Sequence, residues 1–504
     1  IPQLDRYPRV VELAKTPFGK VLIVLAASLV GLTMASASTV LYVAPWLLAV
    51  SLLSKIRRPL VLLATLGAIP VGLTRLDADK IEYLPIFFGV GDGWSGWWVA
   101  PGFAVLFFFL CWGMVTAVRC QKIPVLRRNP AWTALALFWL SSLALTYLPL
   151  LPVIKAAGWA LLIVGTKYVW FLAYSLQEAR SPSQPSFARQ LSFYQPFWYP
   201  SPLPVPKGAS YIEKIECRDD HSFAICQLKG LKLLLWAMAL NVVLLGAEGF
   251  LYGEGRDLAE RFMLQWREGQ IWLLYKETPL AALWERDFIG YFPPLDYALK
   301  QIAAGGQTLT PLRAWGSTIS FFLLDLLGLA VATHVGIAFC RLAGFNALRN
   351  VYRPLQATSV ADFWNRYYYY YKELLVAIFF YPAFFTFFKR HAKLRLFIAT
   401  LLAAGFGNLL FHVGLDTVML VDRGIVQALI AYHTFAFYGL ALSVGIFLSQ
   451  ARKEPGSGSD GRLPKPVRSA LVVLFYSVLF IFADVTNHDI RVNLRFFFSL
   501  FGVD

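Results

Sequence analysis

The chain has 504 residues, of which 58% are apolar and only 15% are charged. Ordinary soluble domains carry roughly 25% charged residues, so this composition excludes a soluble globular protein and indicates an integral membrane protein. The formal net charge of +16 is accounted for by lysine and arginine in cytoplasmic loops and by attraction to membrane lipid, with no nucleic-acid partner required.

Apolar stretches long enough to cross a bilayer as helices recur along the whole chain. They predict an all-α polytopic membrane protein with about eleven transmembrane helices plus re-entrant or interfacial helices. We see no internal repeat in the sequence, which argues against an inverted-repeat transporter. The predicted spans are 20–37, 39–54, 59–74, 97–118, 131–151, 157–176, 230–250, 315–340, 395–415, 425–449 and 469–486.

We predict that residues 1–504 form a single membrane domain. Segments rich in proline, or in tryptophan interleaved with charges, are typical of chain that lies along the interface and does not cross the bilayer. The predicted parts are N-terminal helices at 1–176, a cytoplasmic proline-rich loop at 177–229, an external interfacial segment at 251–314, and a core at 315–504 with a flexible linker at 454–466.

Lysine and arginine cluster on loops that face the cytoplasm if the N-terminus is inside. Two later basic clusters, at 389–395 and 451–468, face the same side only if the segment 367–388 enters and leaves the bilayer on one side. Such a re-entrant or interfacial segment must be shielded by protein. The small-residue run at 34–38 resembles a signal-peptidase site, but the apolar span directly after it favours an uncleaved helix.

Three polar residues in the predicted cytoplasmic loop, Cys217, His221 and Cys226, are the one candidate metal site. Their spacing fits no standard zinc motif, and the cytoplasm keeps thiols reduced. We therefore expect free thiols, with a metal ion as the weaker alternative.

Ionisable residues within or beside the spans are functional candidates, because a membrane tolerates them poorly. His412 has Asn408 one helical turn earlier and therefore on the same face. A histidine in this setting can accept a proton from a hydroxyl near neutral pH; a satisfied packing histidine is the alternative. The candidates are Lys167, Asp325, His334, Lys372, Glu373, His412 and His433.

The run "GFNALRNVYRPLQATSVADFWNRY" at 344–367 resembles the signature of the membrane-bound O-acyltransferase superfamily, and in particular its bacterial branch that acetylates alginate and related polysaccharides. The resemblance extends over about 325–502 and places His412 on the near-invariant histidine of the family. Asp325, Gly328 and Pro382 also match. The matching positions within the run are Gly344, Phe345, Asn350, Pro354, Ala357, Ser359, Phe363, Trp364 and Arg366.

The resemblance implies a bundle of tilted helices around a channel in a bacterial plasma membrane. A cytoplasmic acyl-CoA or acyl-carrier thioester would serve as donor substrate, with no permanently bound cofactor. The acceptor would be a hydroxyl of an extracytoplasmic polysaccharide or other envelope molecule, and a separate extracytoplasmic partner protein often completes the transfer. His412 would be the general base, supported by Asn408 and Tyr368. The implied substrate-channel residues are Asp325, Trp364, Arg366, Lys372 and Glu373.

The chain departs from the family pattern at positions that bear on activity. Tyr367 and Tyr368 stand where the family has Trp-His or Trp-Asn, and Val413 replaces the glycine after the histidine. A phenol stays neutral at physiological pH, so Tyr368 can donate a hydrogen bond but cannot replace a base. A catalytically degenerate scaffold or binding subunit is therefore one alternative. A transporter subunit is the other, and it is supported by the polar residues within the spans.

Overall fold

The computed structural model describes residues 3–34, 37–76, 78–94, 96, 98–120, 128–180, 185–194, 197, 207–252, 292–451, 463–483 and 488–503. These residues are predominantly helical, and the β-type pairing among them is an isolated antiparallel bridge between Glu216 and Phe345. The all-α prediction is therefore confirmed.

The described α-helices follow one another with short connections along most of the chain. They are Pro8–Lys15, Pro17–Leu32, Ala37–Leu52, Arg57–Leu76, Ala78–Phe87, Val99–Arg119, Pro130–Tyr147, Pro152–Glu178, Phe187–Tyr194, Ala209–Ile215, Asp220–Tyr252, Leu295–Ala303, Pro311–Leu342, Val360–Tyr367, Tyr369–Leu375, Tyr381–Thr386, Ala392–Thr400, Asn408–Leu415, Thr417–Ala431, His433–Ala451, Lys465–Phe480 and Ile490–Ser499.

Five helical stretches of the described residues are long and apolar enough to cross a membrane, and three bent helix pairs raise the number to eight if each pair is one span. The protein is thus a polytopic helical membrane protein. Eight of the eleven predicted spans correspond to these stretches and pairs. The other three fall on the second helix of one bent pair and on the helices Pro130–Tyr147 and Lys465–Phe480. The five unbroken stretches are Val99–Arg119, Asp220–Tyr252, Pro311–Leu342, Ala392–Leu415 and His433–Ala451.

The first bent pair shows how the sequence sets a sharp turn. Pro8–Lys15 meets Pro17–Leu32 at 100°. Thr16 separates the two helices, and its hydroxyl accepts a hydrogen bond from the Gly19 amide at 3.0 Å. Proline tolerates the first helical turn because it has no amide donor to leave unpaired. A short amphipathic helix therefore runs across the start of an apolar one.

The helices Asp220–Tyr252 and Pro311–Leu342 form a long antiparallel pair. A Cβ at Gly230 would lie 2.8 Å from the carbonyl oxygen of Ala338, and one at Gly328 would lie 3.8 Å from Leu244. Glycine thus permits close backbone approach at one crossing. The first of these helices begins ten residues before its predicted span at 230–250, and Gln227 in this first part donates hydrogen bonds to the Ser51 hydroxyl and the Leu342 carbonyl.

Charged contacts gather several loops at one end of the bundle. Lys20 pairs with Asp220 at 3.1 Å, and Arg58 pairs with Glu216 at 2.7 Å. The N-terminal arm joins the same end, since Asp5 accepts a 2.7 Å hydrogen bond from Lys232. These loops therefore share a side, as the charge distribution predicts. That this side is the cytoplasmic one stays a prediction.

The predicted non-spanning segments contain more helix than the sequence suggests. The loop predicted at 177–229 includes Phe187–Tyr194 and Ala209–Ile215, which stabilise it by packing against the neighbouring spans. The external segment predicted at 251–314 includes Leu295–Ala303, and its residues 253–291 lie outside the described part. Most of the linker predicted at 454–466 also lies outside it.

The segment predicted to be re-entrant, 367–388, consists of short helical pieces. Tyr369–Leu375 continues through a π-helix, Val376–Phe380, into Tyr381–Thr386. Leu374, Ile378 and Phe379 are completely buried by protein. This is the shielding that a re-entrant backbone requires, whereas the side on which the segment enters stays a prediction.

Candidate functional site

The run of five tyrosines lies across a break between two helices. The helix Val360–Tyr367 ends before Tyr368, whose backbone leaves the helical region (φ −144°, ψ 74°). Asn350 holds the start of the next helix: its main-chain oxygen accepts from the amide of Tyr369, and its side-chain oxygen accepts from the amide of Tyr370, both at 2.9 Å. Asn350 thus satisfies two amides that a helix start leaves unpaired.

The break sends the tyrosine side chains in different directions. The hydroxyl of Tyr367 donates to a carboxylate oxygen of Asp325 at 2.9 Å. The hydroxyl of Tyr370 donates to the carbonyl of Leu348 at 3.2 Å. The hydroxyl of Tyr371 donates to Oδ1 of Asn408 at 2.6 Å. These three hydroxyls therefore bind polar groups inside the protein, which an aromatic belt at the membrane surface does not require.

The structure brings Tyr371, Asn408 and His412 together. Asn408 and His412 lie one turn apart on the helix Asn408–Leu415, as predicted from their spacing. The half-buried imidazole of His412 lies with its centre 6.3 Å from the Tyr371 ring and 4.5 Å from the Phe435 ring. A polar pair and a histidine thus share an aromatic setting, and we call this group the His412 site.

Tyr368 contacts this group through the ring of Tyr371. Its ring centre is 5.4 Å from that of Tyr371, and the ring of Trp364 is 6.5 Å from Tyr371 on another side. The phenol in direct contact with Asn408 is therefore Tyr371, which the sequence hypothesis did not single out. Helical spacing gives no signal for this contact, because Tyr368 stands at the break and Tyr371 lies on the helix after it.

Two π-helices adjoin the His412 site. Val376–Phe380 follows the helix that carries Tyr371, and Leu401–Gly407 directly precedes Asn408. They touch where Gly407 faces Phe379, since a Cβ at Gly407 would lie 2.6 Å from the phenyl ring. π-helical turns are rare and occur often at functional sites. Here they set the rotation at which Tyr371 and Asn408 face each other.

Of the predicted channel residues, Asp325 and Arg366 have partners near the tyrosine run. Asp325 accepts from Tyr367, whose ring lies 5.2 Å from that of Phe363. Arg366 donates to Asp362 at 2.8 Å, one helical turn earlier. The structure therefore joins Asp325 to the tyrosine run and uses Arg366 within its own helix.

Lys372 and Glu373, also predicted for the channel, form an ion-pair cluster with Lys207. Both lysine ammonium groups bond to the Glu373 carboxylate. They also lie about 5 Å from the Tyr369 ring, at 5.1 Å for Lys207 and 5.0 Å for Lys372. Burial raises the pKa of Glu373, but the hydrogen bonds from Lys207 and Lys372 outweigh burial and hold that pKa below its usual range. The cluster therefore joins Lys207 to the helix Tyr369–Leu375.

A second contact near His412 was not predicted. The hydroxyl of Tyr432 lies 3.3 Å from a carboxylate oxygen of Asp416 and 3.5 Å from the carbonyl of His412. Asp416 in turn caps the next helix by accepting from the amide of Met419 at 3.2 Å. The end of the His412 helix is therefore fixed by side chains from two later segments. Capping by aspartate is visible in sequence, whereas the tyrosine is not.

Of the remaining ionisable candidates, His433 is held by contacts with the main chain. His433 accepts a hydrogen bond from the amide of Ile490 at 3.1 Å, and its other ring nitrogen lies 3.0 Å from the carbonyl of Ile430. The side chain of Lys167 lies outside the described part. Within the described residues, Cys217, His221 and Cys226 form no group that could hold a metal ion, and all five cysteines are free thiols.

Comparison with models of known protein families and with curated proteins gives no match to this chain. Function is therefore inferred from the side chains of the His412 site and from the resemblance in sequence.

Proposed function

We propose that this protein is a membrane-bound O-acyltransferase with His412 as its general base. It moves a short acyl group, with acetyl as the first candidate, from a cytoplasmic thioester to a hydroxyl of an extracytoplasmic polysaccharide or other envelope acceptor. The observation that supports this best is the packing of His412 beside the hydrogen-bonded pair of Tyr371 and Asn408.

The proposed reaction needs one group to accept and return a proton. The acceptor hydroxyl oxygen attacks the thioester carbonyl carbon, and a carbon–oxygen bond forms as the carbon–sulfur bond breaks. The hydroxyl proton passes to the imidazole of His412 and then to the departing thiolate. Imidazole has an unperturbed pKa of about 6.5, and general-base catalysis contributes roughly 10²- to 10⁴-fold to rate.

The neighbours of His412 suit such a reaction. Asn408 is 2% exposed, and the hydrogen bond from Tyr371 fixes the plane of its amide. An amide held in this way presents its N–H donors in a fixed direction, and such donors stabilise a developing negative charge. The aromatic rings of Phe411 and Phe435 beside His412 exclude water, which protects a thioester from hydrolysis.

Several parts of this proposal rest on the sequence resemblance and charge pattern. They are the acyltransferase fold for the core at 315–504, about eleven spans, a cytoplasmic N-terminus and a bacterial plasma membrane. The donor is an acyl-CoA or acyl-carrier thioester, and an extracytoplasmic partner protein completes the transfer.

The test compares envelope glycans and lipids by mass spectrometry in cells that produce the wild type, His412→Ala or no protein. His391→Ala is the matched control, because His391 is exposed and lies outside the His412 site. We expect an ester that is present with the wild type and His391→Ala to be absent with His412→Ala. An ester lost on deletion but retained by folded His412→Ala would instead support the scaffold alternative.

A further inference from the structure

A pocket of about 790 Å³ lies between the helices Asp220–Tyr252 and Pro311–Leu342 and the loop 349–356, which follows the second helix. Its size is within the range of small-molecule sites, roughly 300 to 1,000 Å³. Its wall is mainly apolar, and its basic residues come from the helices and the loop. We call it the Arg349 pocket, lined by the apolar Trp236, Leu240, Leu323 and Leu327 and by the basic or polar Lys232, His334, Arg349 and Arg353.

The two helices separate the polar residues of the pocket from the apolar ones. They run antiparallel, with Gly230 facing Ala338 and Gly328 facing Leu244. Lys232 and His334 therefore lie towards one end of the pair, whereas Leu240 and Leu323 lie towards the other. At 1.5 Å per residue, Leu323 is about 16 Å along the helix from His334. The pocket has a polar head and an apolar tail of that length.

The polar end carries positive charge that no described carboxylate neutralises. The guanidinium groups of Arg349 and Arg353 both lie near the ring of Tyr352, 5.7 and 5.4 Å from its centre. The ion pairs of the described residues leave both arginines without an acidic partner, whereas Lys232 is neutralised by Asp5 at 2.7 Å. Arginine pairs favour phosphate, which accepts several N–H donors in one plane.

His334 also lines the pocket, and its side chain is only 7% exposed. Its Nδ1 atom is buried and has no hydrogen-bond partner among the described residues. Because this atom has no contact with solvent, a ligand in the pocket is held by the arginines and not by Nδ1.

The apolar end opens on the surface that the spans present to lipid. Leu323, at that end, is 36% exposed. It lies on a helix that qualifies as a membrane span. A water-soluble anion would leave this wall without an apolar partner, whereas an acyl chain would cover it.

We infer that the Arg349 pocket binds an anionic phospholipid, with its phosphate between Arg349 and Arg353 and one acyl chain along Leu323, Leu327 and Leu240. The site is distinct from His412 and does not depend on the acyltransferase proposal. It adjoins the tyrosine break, because the pocket residues Ala330 and Val351 belong to a buried cluster against which Tyr367 and Tyr368 pack. A bound lipid would therefore lie on the other side of this cluster from the helix break.

The experiment is native mass spectrometry of the full chain in detergent, titrated with phosphatidylglycerol or phosphatidylcholine of matched acyl chains. We compare the wild type with Arg349→Gln/Arg353→Gln and with Leu323→Trp, which fills the apolar wall. Arg313→Gln is the control for charge, since Arg313 is exposed at the opposite end of its helix. Thermal unfolding of each variant establishes that it is folded.

We expect the wild type and Arg313→Gln to retain phosphatidylglycerol at least tenfold more tightly than phosphatidylcholine. The double arginine variant should lose that preference, and Leu323→Trp should weaken binding of both lipids. Retention of the preference by the double variant would overturn the inference. So would displacement of the lipid by millimolar inorganic phosphate, which would indicate a simple anion site, or by an equimolar acyl thioester, which would make the pocket part of the donor route.

Discussion

The hydroxyl of Tyr371 donates a 2.6 Å hydrogen bond to the buried side-chain oxygen of Asn408. This bond joins the tyrosine run to the helix of His412 across a separation of 37 residues. Because Asn408 and His412 are one turn apart on that helix, the bond also sets where the imidazole lies relative to the break at Tyr368.

Tyr371→Phe removes the donor and leaves Oδ1 of Asn408 buried and unpaired. We expect a loss of about 1 to 3 kcal/mol in the free energy of unfolding, measured by thermal unfolding in detergent. Ester formation should fall with it, because Asn408 loses its fixed orientation. Tyr381→Phe is the control, since Tyr381 is 51% exposed and should leave both quantities unchanged. Wild-type stability in Tyr371→Phe would contradict the bond.

Gly407→Ala tests the contact between the two π-helices. The added methyl group would lie 2.6 Å from the ring of Phe379, so one π-helix must shift. We expect a loss of about 1 to 3 kcal/mol in unfolding free energy and reduced ester formation, because Asn408 is the next residue. Gly113→Ala is the control: nothing lies within 4 Å of its Cβ, so the substitution should be neutral or stabilising. Equal melting temperatures for the two variants would refute the steric argument.

A double-mutant cycle measures the bond between Tyr367 and Asp325. Each single change, Tyr367→Phe and Asp325→Asn, should destabilise the protein, and the double change should cost less than their sum. We expect a coupling free energy of about 1.5 to 3 kcal/mol, as for hydrogen bonds to charged groups. The coupling free energy is calculated from the unfolding free energies of the four proteins, measured in the same detergent. A coupling near zero would show that Asp325 serves another partner.

Glu373→Gln tests the cluster with Lys207 and Lys372. The pKa of Glu373 is lowered in the folded protein, so its contribution to stability is complete above the ordinary carboxyl pKa, about 4.3, and is lost as the pH falls through the folded pKa. The hydrogen bond to Glu373 raises the pKa of Lys207 against the opposing effect of burial, so the lysine side is lost only at pH above about 10.4.

The expected result is a melting temperature that is lower in Glu373→Gln than in the wild type at pH 7, with the difference shrinking at acid pH. Glu12→Gln is the control, because Glu12 pairs with Lys15 at the exposed surface and such pairs contribute little. If the difference in melting temperature grew on acidification, the result would contradict a lowered pKa for Glu373.

The orientation of the chain can be tested through Cys120. It is exposed in the structure, whereas the other four cysteines are buried, and it adjoins a basic loop predicted to be cytoplasmic. A membrane-impermeant maleimide should therefore label inside-out vesicles and leave intact cells unlabelled, and Cys120→Ser should abolish the signal. Labelling of intact cells would place Cys120 and the adjoining basic loop outside.

Patterns along the chain predict part of the candidate site. The spacing of Asn408 and His412 places them on one helix face, and the structure agrees because a helix has a fixed period. Residues that carry the family resemblance also have clear local roles. Ser359 caps its helix by accepting from the amide of Asp362, and Asn350 caps the helix after the break. The Ser359 bond spans three residues and can be predicted from the sequence, whereas the Asn350 bond joins residues 20 apart and depends on the tertiary structure.

The partner of Asn408 could not be predicted in the same way. The sequence directs attention to Tyr368, the position where the family has a polar residue, but the structure places Tyr371 against Asn408. Five tyrosines in a row are equivalent until the direction of each is known. That direction is set by the break at Tyr368 and by the π-helices, whose registers depend on packing between Gly407 and Phe379.

The sequence by itself determined that this is a polytopic helical membrane protein, because an excess of apolar residues in long runs has no other stable arrangement in a bilayer. It also determined the helix face shared by Asn408 and His412. The tertiary structure alone decided which tyrosine contacts Asn408 and which arginines converge on the pocket beside His334. Those outcomes depend on contacts between residues far apart in the chain, whose geometry follows from packing and not from any local pattern.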